Sequence, residues 1–390
     1  MELKKRLEFI TLECLDELKK KNYIGYDPAD LLNTKYSCIH KLPNKFKKLL
    51  SLINIYSPIN FRKLLKITPE QNTTAMVMLG HIYLNLYKYY KDESYLEDVN
   101  FFVSWLLENA IKENNTLGWA RTIDYQFDSQ QSFVQNNSLT FINSKVLKLF
   151  LDLYEITEKK EYLQNAKKIA DHFIKKTTKI SSSDGICLSY ASKSKVEIYN
   201  ASLLAGVQLN RIYNYIPDED YYSLSLSILR YSLNKQNEDG SWYYSTNGKK
   251  QKKQIDFHQV YMLMGIKEYS HHNLSEQITI KFKKGLNFYL NKMFDKNGIP
   301  YWRYPLKFPI DIHNISHAIL FLSTYNIRLD RVNSLLFILI NEFYDQKDKF
   351  FYCHKWLFVK NKINYFRWNT IWTLYSITTY LDKQKTTLQN

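Results

Sequence analysis

The sequence predicts an all-α protein, an (α/α)6 toroid carrying short β-hairpin insertions, on three observations. A beat of roughly 60 residues restarts a helix with the same kinds of residue, and a period in that range marks a repeat architecture. Only 10 Gly and 8 Pro occur in 390 residues, which suits long helices and short connections. Turns rich in Gly and flanked by aromatics recur between the helices, which is the chemistry of small hairpins. Six helix pairs with their loops on one side close most economically into a ring, with an open superhelix of helix pairs as the alternative. With 45% hydrophobic residues the chain can bury a large core. No Pro/Ser-rich linker interrupts it, so residues 1–390 read as one domain.

Residues 1–25 read as an amphipathic helix, and Tyr26-Asp-Pro-Ala-Asp-Leu-Leu-Asn33 as a loop. Ile59-Asn-Phe-Arg-Lys-Leu-Leu65 then leads into the first inner helix. The six inner starts are Asn72-Thr-Thr-Ala, Asn137-Ser-Leu-Thr, Tyr199-Asn-Ala-Ser, Ile255-Asp-Phe-His, Ile310-Asp-Ile-His and Arg367-Trp-Asn-Thr. Each holds Asn, Asp, Ser or Thr, residues that cap a helix by accepting from its free N–H groups. Outer helices run from Tyr95 to Trp105, Tyr162 to Phe173 and Tyr221 to Tyr231. The turn signals are Leu117-Gly-Trp119, Asp184-Gly-Ile186, Glu238-Asp-Gly-Ser-Trp242 and Asn297-Gly-Ile-Pro-Tyr301; a fifth, Lys349-Phe-Phe-Tyr-Cys-His354, keeps the aromatics without the Gly.

The net charge of +16 invites a nucleic-acid reading. The lysines, however, are spread along outer helix faces with few arginines, and no helix-turn-helix, zinc-finger or RNP-type motif stands beside them. An anionic glycan, a nucleotide-sugar or a membrane surface suits the charge better. The N-terminus lacks an uninterrupted apolar stretch and no window reaches the length of a membrane span. Cys14, Cys38, Cys187 and Cys353 are scattered, which fits free thiols in a reducing compartment. The expected location is the cytoplasm.

The sharpest chemical signal is a pair of Asp-x-His triplets, Asp256/His258 and Asp311/His313, at neighbouring inner-helix starts. There the helix dipole favours an ionised Asp and a neutral imidazole, the form a general base needs. The bland reading is that both aspartates only cap helices. His317 lies one turn beyond His313, but no acidic partner completes a metal pattern, and no metal or cofactor is called for. Tyr199, Asn200 and Trp368 sit at equivalent starts. The second loop offers Trp119, Arg121, Asp124 and Asp128; later loops offer Trp242, Tyr243, Trp302 and Arg303. Aromatics among scattered polar groups suit sugar rings, whose faces stack while their hydroxyls bond. Arg303 and Arg62 could each hold a carboxylate or phosphate.

Several strings together, Tyr26-Asp-Pro, Asn60-Phe-Arg-Lys-Leu-Leu-Lys-Ile67, Tyr199-Asn-Ala-Ser-Leu-Leu204, Gln236-Asn-Glu-Asp-Gly-Ser-Trp-Tyr-Tyr244, Ile255-Asp-Phe-His258 and Phe308-Pro-Ile-Asp-Ile-His313, resemble a bacterial family of the six-hairpin glycosidase-like superfamily. Its members are associated with surface-polysaccharide biosynthesis. The resemblance implies the same toroid and a carbohydrate-active protein that processes a sugar or oligosaccharide as a glycosidase, lyase or epimerase. A non-catalytic glycan-binding or assembly protein on the same toroid is the alternative.

Overall fold

The computed structural model describes residues 2–126, 132–133, 136–247, 250–269 and 276–387. Helices α1 (Glu2–Lys20) and α2 (Asn44–Tyr56) precede the repeats. Five helix pairs follow. They are α3 (Thr73–Tyr90) with α4 (Ser94–Glu108), α5 (Thr140–Thr157) with α6 (Lys160–Lys175), α7 (Tyr199–Tyr213) with α8 (Glu219–Asn234), α9 (His258–Tyr269) with α10 (Glu276–Lys292), and α11 (Ile312–Thr324) with α12 (Leu329–Ile338). The last helix is α13 (Trp372–Thr387).

Each inner helix packs on the next, and α13 packs back on α3, so the ring closes as an (α/α)6 toroid. The sixth outer position is taken by α1, which packs on α13. The first helix of the chain thus completes the last repeat.

Position in the ring dictates helix composition. The inner α11 is buried from Ile312 to Ser323 on every face, as a helix surrounded by protein must be. The outer α6 buries an apolar stripe, Tyr162, Ala166, Ile169, Ala170 and Phe173, together with Asp171 and His172, and turns its lysines outward.

Only some inner starts are capped as the sequence suggests. Asn72 Oδ1 accepts from the N–H groups of Thr74 and Ala75, and Asp311 Oδ1 from that of His313. Asn137 instead accepts from Ser192 Oγ and the Lys193 N–H, and α5 begins after Leu139 without a side-chain cap. Asn200 falls inside the first turn of α7, and Asn369 donates to the carbonyls of Phe351 and Ile363. Polar residues recur at the starts because several hold neighbouring loops rather than helix ends.

The hairpins follow turn chemistry. Gly240 and Gly298 adopt φ of 96° and 77°, a region that favours glycine. Where the fifth turn lacks Gly, Lys349 adopts φ 54° between the paired strands Tyr344–Asp345 and Phe350–Phe351. The hairpin predicted around Gly118 turns earlier, at Asn114 and Asn115, while Gly118 ends a strand against the His172 ring, where a Cβ would collide. Two three-stranded sheets deliver strand ends to the inner-helix starts: Val196–Ile198 with Ser245–Asn247 and Lys250–Lys252, and Ile310–Asp311 with His354–Lys355 and Lys360–Asn361.

Candidate functional site

A cavity of about 270 Å³ opens where the six inner helices begin, and every one of them contributes to its wall. Thr74 comes from α3, Phe141 from α5, Asn200 from α7, His258 from α9, His313 from α11 and Trp372 from α13. Among the residues singled out in the sequence, Asp256, His258, Asp311, His313, Arg121, Asn200, Trp302, Arg303 and Trp368 line it.

The others are placed elsewhere. Trp119 and Trp242 are buried, their indole N–H groups donating to the carbonyls of Leu106 and Ser232. They pin hairpins to outer helices and offer no stacking wall. Tyr199 is buried edge-on against Tyr231, and Tyr243 and Asp124 are not among the lining residues. Asp128 lies outside the described residues. Arg62, a candidate anion binder, is buried and ion-paired to Asp30 at 2.8 Å.

The Asp-x-His triplets fold into two differently built units. Asp256 Oδ1 accepts from the His258 N–H at 3.1 Å and from His258 Nδ1 at 2.5 Å, while Gln254 donates to its other oxygen. Burial pushes the Asp256 carboxyl up, but the charge and hydrogen bonds of His258 and the Gln254 bond outweigh it and hold it below its usual value. With Nδ1 occupied, His258 has Nε2 left for a ligand. Its ring stacks on Phe257 at 4.0 Å and leans on Tyr244 at 4.3 Å.

In the second unit the Asp and His do not pair through their side chains. Asp311 Oδ2 lies 3.4 Å from Nε2 of His354, which the strand register sets directly opposite. His313 instead stacks flat on Trp368 at 3.9 Å, and its Nδ1 donates to the Trp368 carbonyl at 3.2 Å. That bond leaves Nε2 as the lone-pair nitrogen of a neutral ring. Burial, with His317 beside it, keeps the His313 pKa well below the ordinary imidazole value.

His317 is fully engaged. Nδ1 donates to the His313 carbonyl at 2.7 Å, so neutral Nε2 accepts from the Tyr261 hydroxyl at 2.6 Å. The i, i+4 pair on α11 is therefore a support for His313. Among the described residues no group of three or more His, Cys, Asp or Glu is arranged to hold a metal ion.

No family model matches the sequence, and no curated protein matches it. Solved structures do resemble the fold. The cellobiose 2-epimerase of Bacillus thermoamylovorans B4167 superposes with a TM-score of 0.61 at 12% identity, over 80% of this chain and 88% of that one. The GH76 α-mannanase BT2949 of Bacteroides thetaiotaomicron gives 0.60 at 12% identity, over 82% and 88%. An unsaturated glucuronyl hydrolase specific for heparin gives 0.60 at 12% identity, over 98% of each chain. This chain shares their toroidal fold.

Cations outnumber carboxylates on the cavity wall: Lys48, Arg121, Lys252, Arg303 and Arg367 face Asp256 and Asp311. Arg367 is neutralised by the buried Asp27, with Nε to Oδ2 at 2.5 Å. Arg121 lies 4.1 Å over the Tyr125 ring and its buried Nε has no hydrogen-bond partner among the described residues. Arg303 lies 4.3 Å over the Trp302 ring and donates to the Tyr56 hydroxyl at 3.2 Å. Among the described residues neither Arg121 nor Arg303 is ion-paired to a carboxylate.

Sequence reasoning missed Tyr56, Tyr125, Tyr190, Tyr244, Tyr261, His354 and Trp372 in the wall. Tyr244 was within reach, since it stands beside Tyr243 between the Gly240 turn and the strand Ser245–Asn247. His354 carries no such signal, because only cross-strand pairing brings it to Asp311.

Proposed function

We propose that this protein transfers protons at a carbon beside the carbonyl or carboxylate of a sugar, the step common to epimerisation and lyase-type elimination, with His313 and His258 as base and acid. The observation that carries this reading is the engagement of the carboxylates. Asp256 spends both oxygens on the N–H and imidazole of His258 and on Gln254, and Asp311 caps the His313 N–H with one oxygen while the other faces His354 at 3.4 Å. Among the described residues no other carboxylate lines the cavity. Glycoside hydrolysis in its usual form needs two carboxyl groups facing the scissile bond, whereas here the imidazoles are what the wall presents.

His313, kept neutral by burial, takes the proton at Nε2, and the C–H electron pair moves into an enolate. Arg121 and Arg303 stabilise the charge that develops on the enolate oxygens. His258, its Nδ1 held by Asp256, returns a proton from Nε2 to the other face; in elimination it protonates the departing oxygen instead. The two arginines without a carboxylate partner among the described residues favour an anionic sugar such as a uronic acid. That the fold is shared with an epimerase, a mannanase and a glucuronyl hydrolase supports a carbohydrate role, and the family resemblance in the sequence favours a role in surface-polysaccharide assembly.

The test is incubation in D₂O with a panel of uronic acids, N-acetylhexosamines, nucleotide sugars and short anionic oligosaccharides, read by mass spectrometry. Wild type should incorporate deuterium at carbon or release an unsaturated product. His258→Ala and His313→Ala should each lower that rate by about 100-fold or more while keeping the ligand-induced thermal shift. Glycosidic-bond hydrolysis without deuterium at carbon, at a rate the variants retain, would sink the proposal. Binding without exchange or conversion would favour the glycan-binding alternative.

A further inference from the structure

The helix α2 is built inside out. Its buried residues are the polar Ser51 and Asn54. Asn54 donates to Asp30 Oδ1 at 3.0 Å, and its carbonyl accepts from the Tyr365 hydroxyl at 3.0 Å, so polar bonds hold the helix to the toroid. Its outer face carries Phe46, Leu49 and Ile53, 47%, 54% and 47% exposed and spaced three and four residues apart, with Leu52 beside them. An ordinary surface helix turns such a stripe toward the core.

The stripe has a neighbour. The hairpin of His354–Lys355 and Lys360–Asn361 is tied to the end of α2 by Asn361, which donates to the carbonyls of Ile55 and Ser57. Its tip presents Leu357, 70% exposed, and Phe358, 95% exposed. Ile59 and Leu64 add further exposed apolar groups in the segment after α2. Charge is one-sided along α2 and its flanks. Between Asp30 and Glu70 there is no acidic residue, while Lys35, Lys41, Lys45, Lys47, Lys48, Lys63 and Lys66 all occur.

We infer that this face docks on a bilayer containing anionic lipid. Apolar side chains flanked by lysines are the arrangement that buries at the headgroup boundary while cations meet lipid charge. A second copy pairing through the same face would set lysines against lysines, and a nucleic acid would leave the apolar stripe unsatisfied. No helix among the described residues is long and apolar enough to cross a membrane, so the contact is peripheral. Lys48, Ile55 and Tyr56 of α2 and His354 of the hairpin also line the cavity, which puts the docking face at its rim. The inference stands on the surface alone and does not need the proposed chemistry.

The test is co-sedimentation of the full chain with extruded vesicles of phosphatidylcholine, with and without phosphatidylglycerol. Wild type should pellet with the anionic vesicles, less so as salt is raised, and hardly with the neutral ones. Leu49→Ser combined with Phe358→Ser should reduce the bound fraction at least tenfold with an unchanged Tm, because both side chains are exposed. Wild type that stays in the supernatant overturns the inference. So does binding that the double variant retains, equal binding to neutral vesicles, or a wild-type dimer in sedimentation equilibrium that the double variant dissociates.

Discussion

Several imidazoles in this protein are held neutral by burial, and that sets how the molecule responds to acid. Burial lowers His81 to about 3, His172 to about 4 and His317 to about 3. His81 stays neutral although Asp152 is 3.7 Å away, because Lys148 meets that carboxylate at 2.7 Å. Each ring titrates near 6.5 once unfolded, so below that pH the unfolded chain binds protons that the folded one refuses. Their contribution is intact above about pH 6.5 and is lost as pH falls toward 3–4. At pH 5 each costs about 2 kcal/mol. Urea unfolding at pH 7.5 and 5.0 should show a clear drop in midpoint, and an unchanged midpoint would mean that the rings protonate in place. Asp27, brought to about 2 against its burial by Arg367, acts only below about pH 4 and does not confuse the comparison.

At the scale of elements, the cap residues separate into those that hold helices and those that hold loops. Asn72 does both jobs, accepting from the first turn of α3 and donating from Nδ2 to Asp27 at 3.2 Å. Asn72→Ala should therefore destabilise by about 1–2 kcal/mol, the range for a lost N-cap, as a shift in urea midpoint with unchanged slope. A shift within error would show that water takes over the cap. The same reasoning explains why the two Asp-x-His triplets diverge. Asp256 sits before α9 with a side-chain neighbour, Gln254, that orients it toward His258. Asp311 ends a strand whose partner strand brings His354, so its second oxygen turns away from His313. Identical spacing gives two caps, of which only Asp256 adds a side-chain bond to its own His.

At the scale of the whole molecule, closure depends on a helix that the linear repeat leaves out. Helix α1 buries Leu7, Ile10, Cys14, Leu15 and Leu18 as the outer partner of α13. At about 1.5–3 kcal/mol for each large apolar side chain, its packing is comparable to the entire stability of about 5–15 kcal/mol of an ordinary domain. Removing residues 1–20 should abolish the cooperative thermal transition seen by circular dichroism. A truncated chain that still melts sharply near the full-length Tm would show that the ring closes without α1.

The helical period, the scarcity of Gly and Pro and the turn residues were enough to specify repeated helix pairs and to favour a toroid over an open superhelix, because local propensity and apolar periodicity are written residue by residue. They also located Asp256, His258, Asp311 and His313 at one mouth, since helix starts recur at a fixed interval and closure brings them together. Which of these groups faces a ligand was not legible. Trp119 and Trp242 look like stacking residues in the sequence, yet their indoles point into the core, because their N–H groups bond the outer-helix carbonyls of Leu106 and Ser232. His354 and Arg367 enter the wall through strand pairing and a buried ion pair with residues far away in the chain. The outward apolar stripe of α2 is likewise invisible in its periodicity, which states that one face is apolar and not which side of the helix the toroid covers. Contacts between distant segments made those choices, and only the folded ring contains them.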